Sequence, residues 1–192
     1  MGDTRKKLTP ADYVTSVWSG GATTQLAIAP EGASYADREF LWRVSSATVE
    51  LEESDFTALP DYHRLIATLR GDMVLTHKVG APITLHPYQV HGFEGAEATH
   101  SRGRCTDFNL MLRRGEADGT MEALRLPEQT GVWYPDPRAE ELLLYCAEGT
   151  VSVETEKTEL RTGESLYLRQ DGTVAPKLTG QGVVMICQMW RI

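Results

Sequence analysis

Two stretches of this 192-residue chain resemble each other, and their repetition limits the folds that the chain can adopt. Residues 65–75 and 142–153 each join an apolar run to an alternating run through a charged residue and a glycine. The two glycines, Gly71 and Gly149, lie 78 positions apart. An apolar run, a glycine turn and an alternating run together predict a β-hairpin. Two copies at a nearly constant offset predict a chain built from two similar β units.

A second pair of short segments repeats farther along the chain. Residues 85–89 and 160–164 each begin with leucine and run into a turn, and the two leucines are 75 positions apart. The seventeen glycines and nine prolines also favour a turn-rich fold with many strands and few helices. Residues 113–138 contain several of these glycines and prolines, and we expect them to bridge the two units.

The sequence therefore predicts an all-β fold of two jelly-roll barrels. A hairpin with glycine at its turn, then a Leu-x-x-Gly-Glu type of turn and another strand, is typical of a cupin barrel, which leaves one mouth open for a ligand. Two such barrels in one chain make a bicupin. We expect residues 1–115 to form the N-terminal cupin barrel with the pocket, and residues 116–192 to supply a linker and the C-terminal cupin barrel.

The charge and the apolar content of the chain argue against several classes of protein. Nineteen Lys and Arg against 27 Asp and Glu give a net charge of −8, which disfavours nucleic-acid binding because such binding neutralises phosphates. No run approaches the roughly 18 apolar residues of a membrane span, and no hydrophobic stretch for secretion opens the sequence. The three cysteines lie in apolar runs and are predicted to be buried thiols of a reducing compartment. We expect a cytoplasmic protein, for which a homodimer is one candidate assembly.

Two alternating segments place polar side chains on one strand face. In residues 40–45, Arg43 and Ser45 share a face, and in residues 107–112, Asp107 and Asn109 do so. A polar face that looks into an enclosed space can line a ligand site. The alternative, which the alternation alone leaves open, is that these faces meet water.

Four short sequence motifs, in this order along the chain, resemble the HutD/Ves family of small bicupin proteins. They are residues 18–25, 40–47, 56–64 and 107–111. The resemblance implies a bicupin without an established enzymatic reaction, associated with histidine-utilisation operons, and a pocket for a small acidic metabolite such as formylglutamate. The chain departs from the commoner family pattern in two places: Ser-Gly-Gly-Ala with a later Gln replaces Asn-Gly-Gly-Gly with a later Glu, and Pro-Asp replaces Pro-Gly.

The candidate ligand-binding residues belong to these same four motifs. The planar guanidinium groups of Arg43 and Arg64 can each grip a carboxylate in two places. Asp107 and Asn109 can orient an amide or amine, although a structural Arg43–Asp107 bridge is an alternative. We expect the full set to converge at the mouth of the first barrel: Thr23, Gln25, Arg43, Ser45, Arg64, Asp107 and Asn109.

The leading interpretation is a metal-free bicupin that binds a small carboxylate and regulates or senses amino-acid catabolism. Two other classes stay open. One is an enzyme, either a metal-dependent cupin oxygenase or a metal-free isomerase or lyase with Asp107 as its base. The other is a non-catalytic, stress-associated scaffold that binds no metabolite. Added metabolites that leave the melting temperature unchanged would favour the scaffold.

The histidines argue against a metal cofactor. A metal-binding cupin supplies a His-x-His pair and a later His, whereas this chain has five separate histidines and none in residues 116–192, the predicted second barrel. His86 and His91 flank one turn and could meet at a metal, but a surface loop explains them equally well. The sequence predicts no metal site and no other cofactor.

We therefore expect the protein purified without chelator to carry no stoichiometric transition metal. Its melting temperature should not change when a chelator is added, because a metal that stabilised the fold would be lost on chelation. Elemental analysis and melting curves provide the measurement. A metal content near one per chain, together with a lower melting temperature in chelator, would contradict this prediction.

Overall fold

The computed structural model describes residues 4–129, 131–169 and 175–192. These ranges hold seventeen β-strands and two short 3-10 helices, Pro10–Asp12 and Glu154–Glu156, with no α-helix among them. The predicted all-β class is confirmed. In the described part of the chain, no helix has the length and apolar character that a membrane span requires.

The chain forms two compact units. One comprises Tyr13–Ala117, and the other joins Met1–Asp12 to Asp118–Ile192. From the sequence, the first residues of the chain are predicted to belong to the N-terminal barrel. In the structure the first strand, β1 (Thr4–Leu8), instead pairs antiparallel with a strand near residue 167 in the second half. The difference arises because strand pairing depends on a distant partner that local sequence does not specify.

The Tyr13–Ala117 unit contains two antiparallel sheets that share one core. Their strand orders are β2-β3-β4-β11-β6-β9 and β5-β10-β7-β8. Ile66 and Phe93 from the six-stranded sheet pack with Met73, Leu75 and Leu85 from the four-stranded sheet. The strands are β2 (Val14–Trp18), β3 (Gly21–Ala29), β4 (Trp42–Val49), β5 (Glu53–Asp55), β6 (Tyr62–Arg70), β7 (Met73–His77), β8 (Ile83–Leu85), β9 (His91–Glu94), β10 (Thr99–Arg102) and β11 (Cys105–Arg113).

The second unit is built on one seven-stranded sheet. Its main path runs β1-β16-β14-β17-β12, with β13 beside β17 and β15 beside β14. Its buried cluster includes Leu144, Val151, Leu160 and Ile186. Part of the segment predicted as a linker is β12, so the bridging role expected for residues 113–138 is wrong for these ten residues. The strands are β12 (Ala117–Leu126), β13 (Gly131–Val132), β14 (Glu141–Val153), β15 (Thr158–Arg161), β16 (Ser165–Arg169) and β17 (Lys177–Arg191).

One turn of the predicted repeat occurs twice with the same hydrogen bonds. The backbone N–H of His86 donates to Gln89 Oε1 at 3.0 Å, and that of Arg161 donates to Glu164 Oε2 at 2.9 Å. In each turn the last residue also donates its backbone N–H to the carbonyl oxygen of the first. The residue before the last has a positive φ in both turns, 72° at Tyr88 and 90° in the second half. The sequence repeat at an offset of 75 residues therefore corresponds to a turn of the same structure in both halves of the chain.

The hairpins predicted at Gly71 and Gly149 are wrong. The chain leaves the six-stranded sheet at Gly71 and enters the four-stranded one, so β6 and β7 belong to different sheets. At Gly149 the chain continues as one long strand, β14, whose pairing with β17 shifts register between Cys146 and Glu148. The two glycines nevertheless have nearly the same φ, 74° and 75°. Gly71 lies where the chain passes from one sheet to the other, and Gly149 lies just after the register shift. Both adopt the left-handed conformation that glycine reaches without steric cost.

Gly71→Ala should destabilise the fold more than Gly115→Ala. Both glycines lie at the same left-handed φ, but a Cβ at Gly71 would stand 2.6 Å from the carbonyl oxygen of Arg104, whereas a Cβ at Gly115 meets no atom within 4 Å. We expect an additional loss of about 1–3 kcal/mol in the free energy of unfolding, the usual cost of overpacking. Urea unfolding measures both variants. Equal losses would contradict the prediction.

Candidate functional site

Strand register places the predicted polar residues on one face of the six-stranded sheet. Arg43 on β4 lies opposite Met111 on β11, and Met111 lies opposite Arg64 on β6. Directly paired residues share a face, and so do residues two positions apart on one strand. The same pairing therefore brings the whole predicted set onto one face: Thr23, Gln25, Arg43, Ser45, Arg64, Asp107 and Asn109.

This face is enclosed. The side chains of Arg43, Ser45, Arg64, Asp107 and Asn109 are all buried, and the two arginines are only 5% and 6% exposed. The alternative that these strand faces meet water is therefore wrong. Thr23 and Gln25 are partly buried at the adjoining strand. We call this set of seven residues the polar face.

Arg43 is fixed by neutral partners. Its Nε donates to Gln25 Oε1 at 2.8 Å and its Nη1 donates to Ser45 Oγ at 3.1 Å. The ring of Tyr35 lies 4.3 Å from its guanidinium carbon, a cation–π distance. Within the described part of the chain Arg43 forms no ion pair with Asp107, so the structural bridge considered above is absent.

Arg64 lies between aromatic rings and lacks a hydrogen-bond partner at Nε. Its guanidinium carbon is 4.8 Å from the centre of the Phe56 ring and 5.0 Å from that of Phe93. Two more buried atoms on the same side of the sheet, Asn109 Oδ1 and the Oγ1 of Thr68, which is paired with Asp107, also have no hydrogen-bond partner among the described residues. Each unsatisfied buried group costs about 1–3 kcal/mol. Arg64 Nε can therefore donate a further hydrogen bond, and Thr68 Oγ1 and Asn109 Oδ1 can each accept one.

Asp107 is a buried carboxyl group that the arginines approach without touching. Its Oδ1 accepts the backbone N–H of Ala47 at 3.3 Å. Burial raises the pKa of Asp107 to about 7, although the charges of Arg64 and Arg43 act in the opposite direction. Burial also lowers the pKa of Arg64 to about 10, so its guanidinium group stays charged at neutral pH. The polar face therefore carries excess positive charge.

Two histidines that the sequence analysis did not pair meet beside the polar face. The Nε2 atoms of His77 and His91 are 3.0 Å apart. Thr99 Oγ1 donates to the carbonyl oxygen of Glu97, so it accepts from His77 Nδ1, which lies 2.9 Å away. This arrangement leaves His77 Nε2 as the acceptor of a proton on His91 Nε2.

The pairing of His86 with His91, considered from the sequence, is wrong. His86 Nδ1 lies 3.1 Å from Asp72 Oδ2 on the exposed surface, whereas His91 contacts His77. Phe93 separates the histidines from Arg64, with its ring centre 5.1 Å from that of His77. In the described ranges, no three His, Cys, Asp or Glu side chains are grouped so that they could hold a metal ion.

Tyr35 is a site residue that sequence reasoning missed. Besides its contact with Arg43, its ring lies 3.9 Å from the guanidinium carbon of Arg38. Tyr35 belongs to a segment without regular secondary structure, so alternation gives no signal for it. In the structure its ring packs in one cluster with Phe40 and Tyr62. The aromatic residues at 35, 40 and 62 are therefore the sequence signal that could have placed this loop against the strands.

The second unit has apolar side chains at the corresponding positions. Leu142 and Cys146 lie 78 positions after Arg64 and Thr68, and both belong to the apolar cluster of that unit.

The three cysteines are all free and buried, as predicted. Burial raises the pKa of Cys105 to about 12 and that of Cys146 to about 11, so both are protonated at neutral pH.

The repeated β units define a cupin-like, all-β bicupin, and the polar face is the candidate ligand site that the described residues form. A family model described as HutD matches residues 10–186. The chain therefore belongs to the HutD family, as the resemblance predicted. Comparison with curated proteins gives no significant match.

Solved structures show the same fold at low sequence identity. HutD from Pseudomonas fluorescens SBW25, described as in a formate condition, is 22% identical with a TM-score of 0.82, over 98% of this chain and 100% of that one. A conserved protein of unknown function from Pseudomonas aeruginosa PAO1 is 24% identical with a TM-score of 0.79, over 98% of both chains. A bacterial pirin from Escherichia coli, in complex with nickel(II), is 10% identical with a TM-score of 0.67, over 96% of this chain and 98% of that one.

The variant Asp107→Asn should be more stable than the wild type at pH 8, and the difference should shrink as the pH falls toward 4. The folded-state pKa of Asp107 is raised, so its contribution to stability is complete below about pH 4 and is lost as the pH rises to about 7. The expected difference at pH 8 is on the order of 2–4 kcal/mol. Urea unfolding from pH 4 to 8 measures it, with the exposed-site variant Asp37→Asn as control. A difference that does not depend on pH would contradict the assignment.

Proposed function

We propose that the polar face binds a small carboxylate metabolite, with formylglutamate as the leading candidate. The observation that carries the proposal is the set of buried, unpartnered polar atoms beside two arginines. A carboxylate oxygen can accept a hydrogen bond from Arg64 Nε, and an amide N–H can donate one to Asn109 Oδ1. Formylglutamate contains both groups.

The charge of the face supports an anion. Arg43 and Arg64 are buried without an ion pair to a carboxylate in the described ranges, and the raised pKa of Asp107 leaves that group partly neutral near pH 7. Arg43 uses Nε and Nη1 for Gln25 and Ser45, so its Nη2 stays available to a ligand. A dicarboxylate can engage one arginine with each end.

Membership of the HutD family supports a role in histidine utilisation. We propose that the chain binds its carboxylate as a sensor or regulator of this catabolism in the cytoplasm. A homodimer is the proposed assembly, and analytical ultracentrifugation tests it. The polar face lies in the first unit, and the described residues Leu142 and Cys146 at corresponding positions of the second unit are apolar, which supports one ligand for each chain. The metal-free character proposed from the histidines belongs to the same hypothesis.

A metal-free isomerase or lyase is the second candidate function. It is favoured by Asp107, a buried carboxyl group with a pKa near 7, because a general base works best when its pKa is close to the operating pH. The two candidates are separated by incubating the bound metabolite with the protein and following its NMR spectrum. Conversion that Asp107→Asn abolishes would support the enzyme, and an unchanged spectrum would support the binding protein.

Arg43→Ala and Arg64→Ala should each weaken carboxylate binding about ten- to a hundredfold. A charge-assisted hydrogen bond contributes about 1.5–3 kcal/mol, and each 1.4 kcal/mol is a factor of ten in affinity. Titration calorimetry with formate, glutarate, glutamate and formylglutamate measures the change. Arg43→Lys and Arg64→Lys keep the charge and should recover only part of the affinity, since lysine lacks the planar fork.

Arg102→Ala is the matched control. Arg102 is exposed and pairs with Glu53 on the surface, so its removal changes the net charge equally but leaves the polar face intact. Melting curves confirm that each variant is folded. Equal affinity in the wild type and both folded arginine variants would remove these arginines from the site. If no carboxylate binds to the wild type, the scaffold interpretation replaces the proposal.

A further inference from the structure

Asp107 is an unexpected residue in a site proposed for an anion, because its carboxylate would repel the ligand. It is buried on the same face as Arg43 and Arg64, yet no ion pair joins it to either arginine in the described part of the chain. The contact made by its side chain is the backbone N–H of Ala47 at 3.3 Å. A single backbone donor satisfies only part of a carboxylate, which can accept several hydrogen bonds.

The charged and titratable groups around Asp107 come from several elements. β4 contributes Arg43 and β6 contributes Arg64, while Cys105 lies two residues away on the same strand. Farther out are Tyr35 and Arg38 beyond Arg43, and the His77–His91 pair beyond Arg64 and Phe93. The two arginines are therefore the nearby charges that favour the ionised form of Asp107, against the effect of its burial.

We propose that the anionic ligand enters the polar face together with a proton, which binds to Asp107. This inference rests on the proposed function. A carboxylate held by Arg43 and Arg64 would offset the positive charge that stabilises ionised Asp107, and it would add a negative charge nearby. Protonation removes this repulsion and turns the carboxyl group into a hydrogen-bond donor that faces the ligand.

The balance of the step is simple. A ligand anion and one proton leave the solvent, no covalent bond of the ligand changes, and the proton forms an O–H bond on Asp107. The raised pKa of about 7 means that the free site already holds this proton part of the time. Below pH 6 the proton is present before the ligand arrives, whereas near pH 8 it must be taken up on binding.

The affinity should consequently depend on pH with a defined sign. The dissociation constant of the wild type should be nearly constant from pH 5.5 to 6.5 and should rise by up to about tenfold per pH unit above 7. The carboxylate probes titrate near pH 4–5, so above pH 7, where the affinity is expected to change, they are ionised and contribute no proton. Asp107→Asn resembles the protonated carboxyl group in shape and charge, so its affinity should be independent of pH and, at pH 8.5, tighter than that of the wild type.

Titration calorimetry with formylglutamate and glutarate at pH 8, in two buffers of different ionisation enthalpy, counts the protons directly. We expect uptake of close to one proton per ligand in the wild type and close to none in Asp107→Asn. His77→Gln tests the histidine pair as another proton acceptor and should keep the uptake. The variant at the exposed histidine His100→Gln should match the wild type.

Three outcomes would overturn the inference. Binding without proton uptake in the wild type would refute it while leaving the proposed function in place. Uptake that persists in Asp107→Asn but disappears in His77→Gln would assign the proton to the histidines. A variant Asp107→Asn that binds more weakly than the wild type at both pH 6 and pH 8.5 would make Asp107 an ordinary contact of the ligand. If no probe binds to any folded protein, the proposed function itself fails.

Discussion

The burial of Arg43 and Arg64 on one sheet face, with no ion pair to a carboxylate among the described residues, is the constraint on which the first unit depends. Guanidinium groups are costly to remove from water, and here aromatic rings and neutral oxygens replace the water only in part. The registers of β3, β4, β11 and β6 must therefore be held closely. A slip of one residue would turn Arg43 and Asn109 to the opposite face and bring their apolar neighbours into the polar interior.

The sequence predicted which polar side chains share a strand face, because the alternation of side chains along a strand is a local property. Alternation assigned Arg43 with Ser45, and Asp107 with Asn109, to single faces, and the structure encloses both pairs. Partners that come from distant segments left no such signal. The His77–His91 contact joins two strands of different sheets. A glycine with positive φ suits a hairpin and a sheet corner equally, which explains the error at Gly71.

The two halves of the chain share backbone geometry but not interior chemistry. The turns at 86–89 and 161–164 have the same hydrogen bonds, although the first unit buries two arginines on one sheet face and the described part of the second unit buries none. The strand position of Arg64 carries Leu142 in the second unit, within a cluster of aliphatic side chains and a buried thiol. Apolar burial of this kind contributes about 25 cal/mol for each Å² removed from water. Apolar burial at these positions therefore stabilises the second unit, whereas the buried polar groups at the equivalent positions destabilise the first.

The pairing of β1 with β16 has a consequence for how the protein is made. Leu8 and Ser165 are partners although 157 positions separate them, so this contact closes a very long loop. During synthesis β1 leaves the ribosome before its partner strand β16 has been made. Its backbone groups lack this partner while about 160 further residues are added. The Tyr13–Ala117 unit is complete long before that strand finds its partner. Non-local contacts of this kind slow folding, and an unpaired strand edge in the interval is open to association with other nascent chains.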